Sequence, residues 1–356
     1  MAMPKIAAAI ALAQGAGADV TQGGGQQNPS YFNPQLSIVG DFASTLHANN
    51  GEQRHTDFRE IEFGFAADAD PFLRVIVIAS LHREQPPPGS PPGTEAATVW
   101  DLEEAYARAS HLGGGLSADI GKIKAAFGRV QRNHIDQLEY LDFPLVIQDV
   151  LGEEGLSQPG FALMYRFPGD RFNELTVNVL DAGNAGPVFN GASNNHPVYI
   201  GHYRTFFDFS EDLSAQLGAT YLSGPGAGNT MNRGNSYGLD YVMKYQPGRP
   251  TGSWIFEAEA YSTKFPGMSD RQFGAFARWA YEFRQRWWFT AGYDRSEIPG
   301  TSDEHHGFLA GLTYKLTEFS HWRLEYQSIE SNFAPTNKVL TFQLQWLIGT
   351  HPAHKY

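Results

Sequence analysis

The strongest constraint in the sequence is a period-two alternation of apolar and polar residues, clearest between residues 272 and 284. One face of this segment carries Phe273, Ala275, Ala277, Trp279, Tyr281 and Phe283, and the other carries Gly274, Arg278, Glu282 and Arg284. A helix places residues three and four apart on one face, so no amphipathic helix produces this register. The segment therefore predicts a β-strand with one apolar and one polar face.

The same alternation recurs from Pro34 to the end of the chain. We predict strands at 36–45, 58–68, 72–82, 98–109, 115–127, 157–167, 171–181, 196–209, 212–223, 234–246, 252–263, 271–283, 286–296, 305–317, 321–331 and 338–349. An even number of strands is what a closed antiparallel barrel with both termini on one side requires.

The connections between the predicted strands alternate in length. Links after even-numbered strands are mostly tight, as in DADP, HLGGG, PGDR, SED and TEFS, whereas links after odd-numbered strands are generally longer. Outer-membrane barrels have short periplasmic turns and long external loops. The predicted fold class is an all-β, closed antiparallel up-and-down transmembrane β-barrel of about 16 strands. The alternative, a soluble β-protein with the aromatic residues in its core, does not account for the alternation of loop length.

Hydropathy excludes a helical membrane protein. Mean hydropathy is −0.36, and the longest apolar runs, residues 6–13 and 75–80, fall short of the roughly 18 to 20 residues that a spanning helix needs. The strands of a barrel alternate apolar and polar residues, so their mean hydropathy is low and a β-barrel is not excluded. The absence of Cys fits export through an oxidising compartment, although many cytosolic proteins also lack it.

We expect three regions along the chain. Residues 1–18 have the outline of a signal peptide, with Lys5, a short Ala-rich apolar stretch and small residues at 16–18. The alternative for this stretch is an ordinary helical or disordered N-terminus. Residues 19–35 are expected to form an N-terminal periplasmic segment, and residues 36–356 the barrel, with the third external loop, 128–156, as the constriction.

Residues 99–128, VWDLEEAYARASHLGGGLSADIGKIKAAFG, resemble a strand pair of porins of the phosphate-selective O/P type. Glu103, Glu104, Ala105 and Tyr106 match the first element of that pair, and Gly121, Lys122, Ala126, Phe127 and Gly128 match the second. The resemblance implies a Gram-negative outer-membrane porin, and a homotrimer. The formal charge of −12 departs from the basic lumens of the anion-selective members, so phosphate selectivity is not expected here.

If the aromatic faces meet lipid, the alternate residues face a polar lumen. We predict that the third external loop contributes Arg132, Asp136, Glu139, Asp142 and Asp149 to the pore, and that the wall contributes Asp101, Glu103, Arg166, Arg204, Glu257, Glu259, Arg278 and Glu282. Acidic residues outnumber basic ones, and carboxylates at a constriction favour cations. Alternatively, many of these charges pair across neighbouring strands and brace the wall.

Two histidine pairs are candidates for binding zinc, His305 with His306 and His351 with His354. Neither pair has the Cys or carboxylate spacing of a closed site, so loop histidines without metal are the alternative, and no other cofactor is expected. We find no G-x-S-x-G, no phosphate-binding glycine loop and no HExxH, and therefore predict no enzyme. The acidic charge disfavours nucleic acid.

The predicted function is passive diffusion of small polar solutes or ions, with modest cation preference, in contact with outer-membrane lipid and lipopolysaccharide. The alternative function is a plugged barrel that binds metal or a protein partner.

Overall fold

The computed structural model describes residues 34–49, 56–84, 97–110, 112–183, 185–191, 196–226, 229–249 and 251–349. Sixteen strands form one closed antiparallel barrel. They are β1 Gln35–Ala48, β2 Thr56–Asp70, β3 Leu73–Glu84, β4 Ala97–Ala109, β5 Leu116–Lys124, β6 Ser157–Arg166, β7 Asn173–Leu180, β8 Val198–Asp208, β9 Leu213–Gly226, β10 Asn229–Tyr245, β11 Trp254–Lys264, β12 Gln272–Arg284, β13 Trp287–Glu297, β14 Glu304–Thr317, β15 Ser320–Ser331 and β16 Asn337–Gly349.

Each strand pairs with its neighbours in sequence, and β1 closes the barrel on β16. Val39 faces Leu347 in that last pairing, and Phe42 faces Leu344. Closure gives each strand a hydrogen-bonded neighbour on both sides along at least part of its length, so the sheet has no edge strand. The predicted fold class is confirmed, and each of the sixteen predicted strands corresponds to an observed one.

One difference bears on the interior of the barrel: β5 was predicted to run to residue 127 but ends at Lys124. The next residues leave the wall and enter the lumen, where the backbone N–H of Ala126 donates to Asn178 Oδ1 (2.8 Å). Gly128 follows with a φ of +65°, a left-handed conformation that favours glycine. Alternation alone did not reveal this departure, because the residues after Lys124 are as apolar as those of a strand.

The outer surface of the barrel carries the apolar set that the alternation predicts. Exposed side chains on it include Phe161, Tyr199, Tyr203, Tyr221, Tyr237, Leu239, Phe273, Trp279, Tyr293, Phe308, Trp322 and Tyr326. Among the described residues, no helix is long and apolar enough to cross a membrane.

The links after even-numbered strands are short, as predicted, from Asp70 to Leu73 and from Thr317 to Ser320. The longest links follow the odd-numbered strands β3, β5 and β7, but the alternation is not strict. The β9–β10 and β15–β16 links are short, and the link from Tyr245 to Trp254 after β10 is longer than several links after odd-numbered strands. The proposed signal peptide, residues 1–18, and nearly all of the segment 19–35 lie outside the described residues.

Candidate functional site

The segment joining β5 to β6, residues 125–156 and hereafter L3, lies inside the barrel. It contains two short 3-10 turns, Val130–Arg132 and Ile135–Gln137, and one helix, α1, Leu145–Leu151. Its apolar side chains pack against apolar residues of the wall to form one buried cluster. The wall contributes Ile76, Ile78, Tyr106, Ile123, Leu180, Ile200, Leu222, Tyr261, Phe276 and Leu309, among others.

Close packing fixes two points of L3 against the wall. At its start, the ring of Phe127 stacks on Tyr261 with centroids 4.5 Å apart. At α1, Val146 lies directly over Gly274 of β12, where a Cβ would overlap the Val146 side chain. The missing side chain at residue 274 therefore lets α1 approach the sheet.

Side chains of the wall bind the backbone of L3. Glu259 accepts hydrogen bonds from the N–H groups of Arg129 (2.9 Å) and Val130 (2.8 Å). On β15, four strands away from Glu259, Arg323 donates to the carbonyl of Leu138 (2.8 Å). Much of L3 is irregular, so such contacts supply partners that a helix or sheet would otherwise provide.

Ion pairs complete the attachment of L3. Glu139 lies 2.7 Å from Lys315, and Asp142 lies 2.9 Å from Arg59. Burial opposes ionisation of Glu139, but the charge and hydrogen bond of Lys315 outweigh it and hold the Glu139 pKa below its usual value. Two further pairs join L3 to the wall, Arg129 with Glu257 (2.7 Å) and Asp149 with His305 (2.7 Å).

Arg132 and Arg204, both predicted pore residues, lie close together in the lumen. Arg204 pairs with Glu174 on the neighbouring strand at 2.8 Å. Burial and the nearby charge of Arg204 lower the pKa of Arg132 to about 10.

Asp101 and Asp136 lie at the wall and on L3 respectively. Asp101 is 3.6 Å from Lys122 of the neighbouring strand. The carbonyl of Asp136 accepts a hydrogen bond from Gln345 (2.8 Å).

Arg166 and Glu282 lie at the end of the barrel where the short turns are. The Arg166 guanidinium lies 5.0 Å from the centre of the Phe172 ring. Glu282 accepts a hydrogen bond from the N–H of Arg286 in the turn to β13 (3.2 Å). The structure does not bring these two residues to L3.

Two cavities lie on either side of L3, and Arg278 lines both. The cavity on the side of the long loops, hereafter the outer vestibule, has a volume of about 1130 Å³, and an inner cavity of about 160 Å³ lies below it. Arg278 pairs with Asp294 at 2.7 Å and its guanidinium lies 4.9 Å from the centre of the Tyr140 ring. Arg278, Asp294 and Tyr140 therefore lie where the two cavities approach each other.

A cluster of ionisable groups joins L3 to β2 and β4. His134 Nδ1 lies 2.7 Å from Glu103 Oε2 and 3.1 Å from Glu62 Oε2. Burial and Lys124 oppose protonation of His134, but the two carboxylates hold the His134 pKa well above its usual value. Glu103 was a predicted pore residue, whereas neither Glu62 nor His134 was expected at a common site.

The predicted histidine pairs do not form a site in the described part of the chain. His305 and His306 are consecutive residues of β14, so their side chains point to opposite faces of the sheet. His305 contacts Asp149, as given above. His351 and His354 lie outside the described residues.

Sequence reasoning did not identify the apolar surface on which L3 packs. Ile76 and Ile78 of β3 face the lumen and are buried, although alternate positions of a pore wall were expected to be polar. A signal was present, because residues 75–79 read Val-Ile-Val-Ile-Ala and are apolar on both faces. A strand that is apolar on both faces indicates that both faces are covered.

Comparison with known proteins places this architecture among outer-membrane channels. No protein-family model matches the sequence. An uncharacterized protein of Aquifex aeolicus (strain VF5) is 24% identical over 356 residues, covering 87% of this chain and 72% of the relative.

Solved structures with a similar fold include OprB of Pseudomonas putida and an anion-selective porin from Comamonas acidovorans. OprB has a TM-score of 0.62 at 10% identity, covering 89% of this chain and 94% of its own. The Comamonas porin has a TM-score of 0.59 at 8% identity, covering 89% and 99%. OmpF of Salmonella typhi, in a complex with daunomycin, has a TM-score of 0.56 at 12% identity, covering 89% and 97%.

At these identities the likeness shows the fold. The chain forms a porin-like barrel of sixteen strands, and this barrel with its outward apolar band points to the bacterial outer membrane.

Proposed function

We propose that the protein is an outer-membrane pore for passive diffusion of small hydrophilic solutes or ions. The observation that carries the proposal is the loop L3 held inside a closed barrel of sixteen strands, with a vestibule of about 1130 Å³ above it. A barrel of this size leaves an aqueous channel unless its interior is plugged. An internal loop narrows such a channel and limits the size of the solute.

The charges of the outer vestibule support a modest cation preference. Its lining includes Glu60, Glu153 and Glu154. Two of its cations, Arg59 and Arg278, are paired with Asp142 and Asp294. Carboxylates at the mouth of a pore raise the local concentration of cations.

Single-channel recording in planar bilayers tests this function. We expect ohmic conductance steps, and a reversal potential in a potassium chloride gradient that indicates moderate preference for the cation. A barrel that L3 closes completely would give no steps, and that result would overturn the proposal. Preference for the anion would overturn the selectivity alone.

A homotrimer is part of the same proposal. The outward positions of β3, β4 and β5 include the compact side chains of Val75, Val77, Ala79, Ala105, Ala107 and Ala118 beside the exposed Trp100, Leu102 and Ile120, whereas the exposed aromatic residues are concentrated from β8 onward. Compact side chains support close contact between barrels, and the aromatic face supports contact with lipid and lipopolysaccharide. Light scattering in detergent measures the mass, and a monomer would contradict this part.

The likeness of residues 99–128 to phosphate-selective porins supports a channel. We do not extend anion selectivity to this chain, because Glu60, Glu153 and Glu154 line the vestibule and two of its arginines, Arg59 and Arg278, are paired with carboxylates.

A further inference from the structure

The cluster at the junction of L3, β2 and β4 combines one imidazole with two carboxylates. The ligand-capable atoms of Glu62, Glu103 and His134 all lie within 4.8 Å of one another, and no other three His or carboxylate groups of the described residues come together in this way. The side chains of His134 and Glu62 are 1% and 3% exposed, and that of Glu103 is 12% exposed. The three groups therefore face one another in a nearly dry space.

Their separations suit a metal ion with nitrogen and oxygen ligands. Zinc binds such ligands at about 2.0–2.2 Å, which places neighbouring ligand atoms about 3.4 Å apart in a tetrahedron. The two contacts of His134 Nδ1 measure 2.7 and 3.1 Å. Accommodating an ion requires these atoms to separate by only a few tenths of an ångström, roughly 0.3 to 0.7 Å.

The surroundings of the cluster carry an excess of negative charge. The carboxyl group of Glu60 lies close to that of Glu103. Glu104 Oε2 lies 3.9 Å from His134 Nε2. Lys124 is the nearby cation, and its Nζ donates to the carbonyl of Asn133 (3.0 Å). Crowded carboxylates are stabilised by a divalent cation, which supplies the missing positive charge.

An ion has a route to the cluster from the outer vestibule. Glu60, which lies next to Glu103, lines that vestibule together with His82, Glu153 and Glu154. A cation that enters the vestibule thus meets carboxylates up to the edge of the cluster.

We propose that Glu62, Glu103 and His134 bind a first-row divalent transition-metal ion, and that this ion fastens L3 to the barrel wall. Imidazole together with carboxylates suits zinc and its neighbours in that series. Three protein ligands leave a further position for water. The proposal does not depend on whether the barrel conducts. The proposed site is also distinct from the two histidine pairs, His305 with His306 and His351 with His354.

Zinc titration of the purified full-length protein tests the site. The protein is stripped with a chelator in detergent and titrated at pH 8 by calorimetry, because zinc must displace the proton of His134. We expect one zinc ion to bind at this site in the wild type. We expect His134→Asn and Glu103→Gln each to weaken this binding by more than about 100-fold, because loss of an outer-sphere partner alone costs roughly 10–100-fold. The matched control is His305→Asn, which alters the other His–carboxylate contact of L3 and should leave zinc binding unchanged.

Two results would overturn the proposal. No zinc binding to the wild type would show that a protonated His134 bridging two carboxylates accounts for the cluster. Unchanged binding in folded His134→Asn would place the ion elsewhere. Anomalous scattering at the zinc edge from wild-type crystals needs no variant: a peak between the three side chains supports the site, and its absence there contradicts it.

Discussion

Lys315 Nζ of β14 donates to Glu139 Oε1 of L3 at 2.7 Å, across 176 residues of sequence. The contact joins the middle of the internal loop to the wall, and it is one of several by which side chains of distant strands hold L3. Because Glu139 is ionisable, the strength of this contact depends on pH, whereas the backbone hydrogen bonds between the strands do not.

We predict that acidification weakens the Glu139–Lys315 contact. The pKa of Glu139 in the folded protein lies below the usual 4.5. Its stabilisation is therefore fully present above pH 4.5 and is lost as the pH falls through the lowered value. The free energy of unfolding, measured with denaturant between pH 6 and 3, should fall less steeply in Glu139→Gln than in the wild type. Glu153→Gln, an exposed change at the other end of L3, should follow the wild-type curve.

We predict that Glu259 is a principal anchor of L3. Glu259→Ala leaves the N–H groups of Arg129 and Val130 without their acceptor, which costs about 1–3 kcal/mol for each buried group. Denaturant unfolding in detergent measures this loss. Asp101→Asn is the control, because its contact with Lys122 is long and 41% of its side chain is exposed. Equal stability of Glu259→Ala and Asp101→Asn would refute the role of Glu259.

We predict that Gly274 is required for the docking of α1. A Cβ at this position overlaps Val146, and overpacking of this kind costs about 1–3 kcal/mol. Gly274→Ala should therefore lower the unfolding free energy, and adding Val146→Ala should restore part of it. Gly311→Ala is the matched control, because a Cβ there meets Glu325 and Thr290 only at ordinary distances of 3.6 and 3.7 Å.

We predict that Arg278 limits the passage between the outer vestibule and the inner cavity. Arg278→Gln shortens the side chain and leaves Asp294 without its counter-charge, so conductance and cation preference should both rise. Loss of one partner from a buried pair also costs about 3–5 kcal/mol of stability. Arg166→Gln, at the end of the barrel with the short turns, should change neither property. Identical reversal potentials for Arg278→Gln and the wild type would contradict this assignment.

Much of the barrel could be predicted from the sequence because strand alternation is a local property. Each side chain along β12 faces lipid or lumen according to its parity, so Phe273 and Trp279 could be placed outside and Arg278 inside without knowledge of any partner. The same logic located all sixteen strands. It erred at residues 125–127, where apolar residues continue after the chain has left the wall.

Local patterns along the chain are therefore enough to define the wall: its strands, its outward apolar face and the polarity of most of its lumen. The position of L3 inside the wall depends on contacts that form only when the barrel closes. Glu62, Glu103 and His134 come from separate parts of the chain, and so do Gly274 and Val146, and nothing local relates them. They meet because closing the barrel brings distant strands around one enclosed space, and L3 settles where its apolar and charged groups find partners on several of those strands at once.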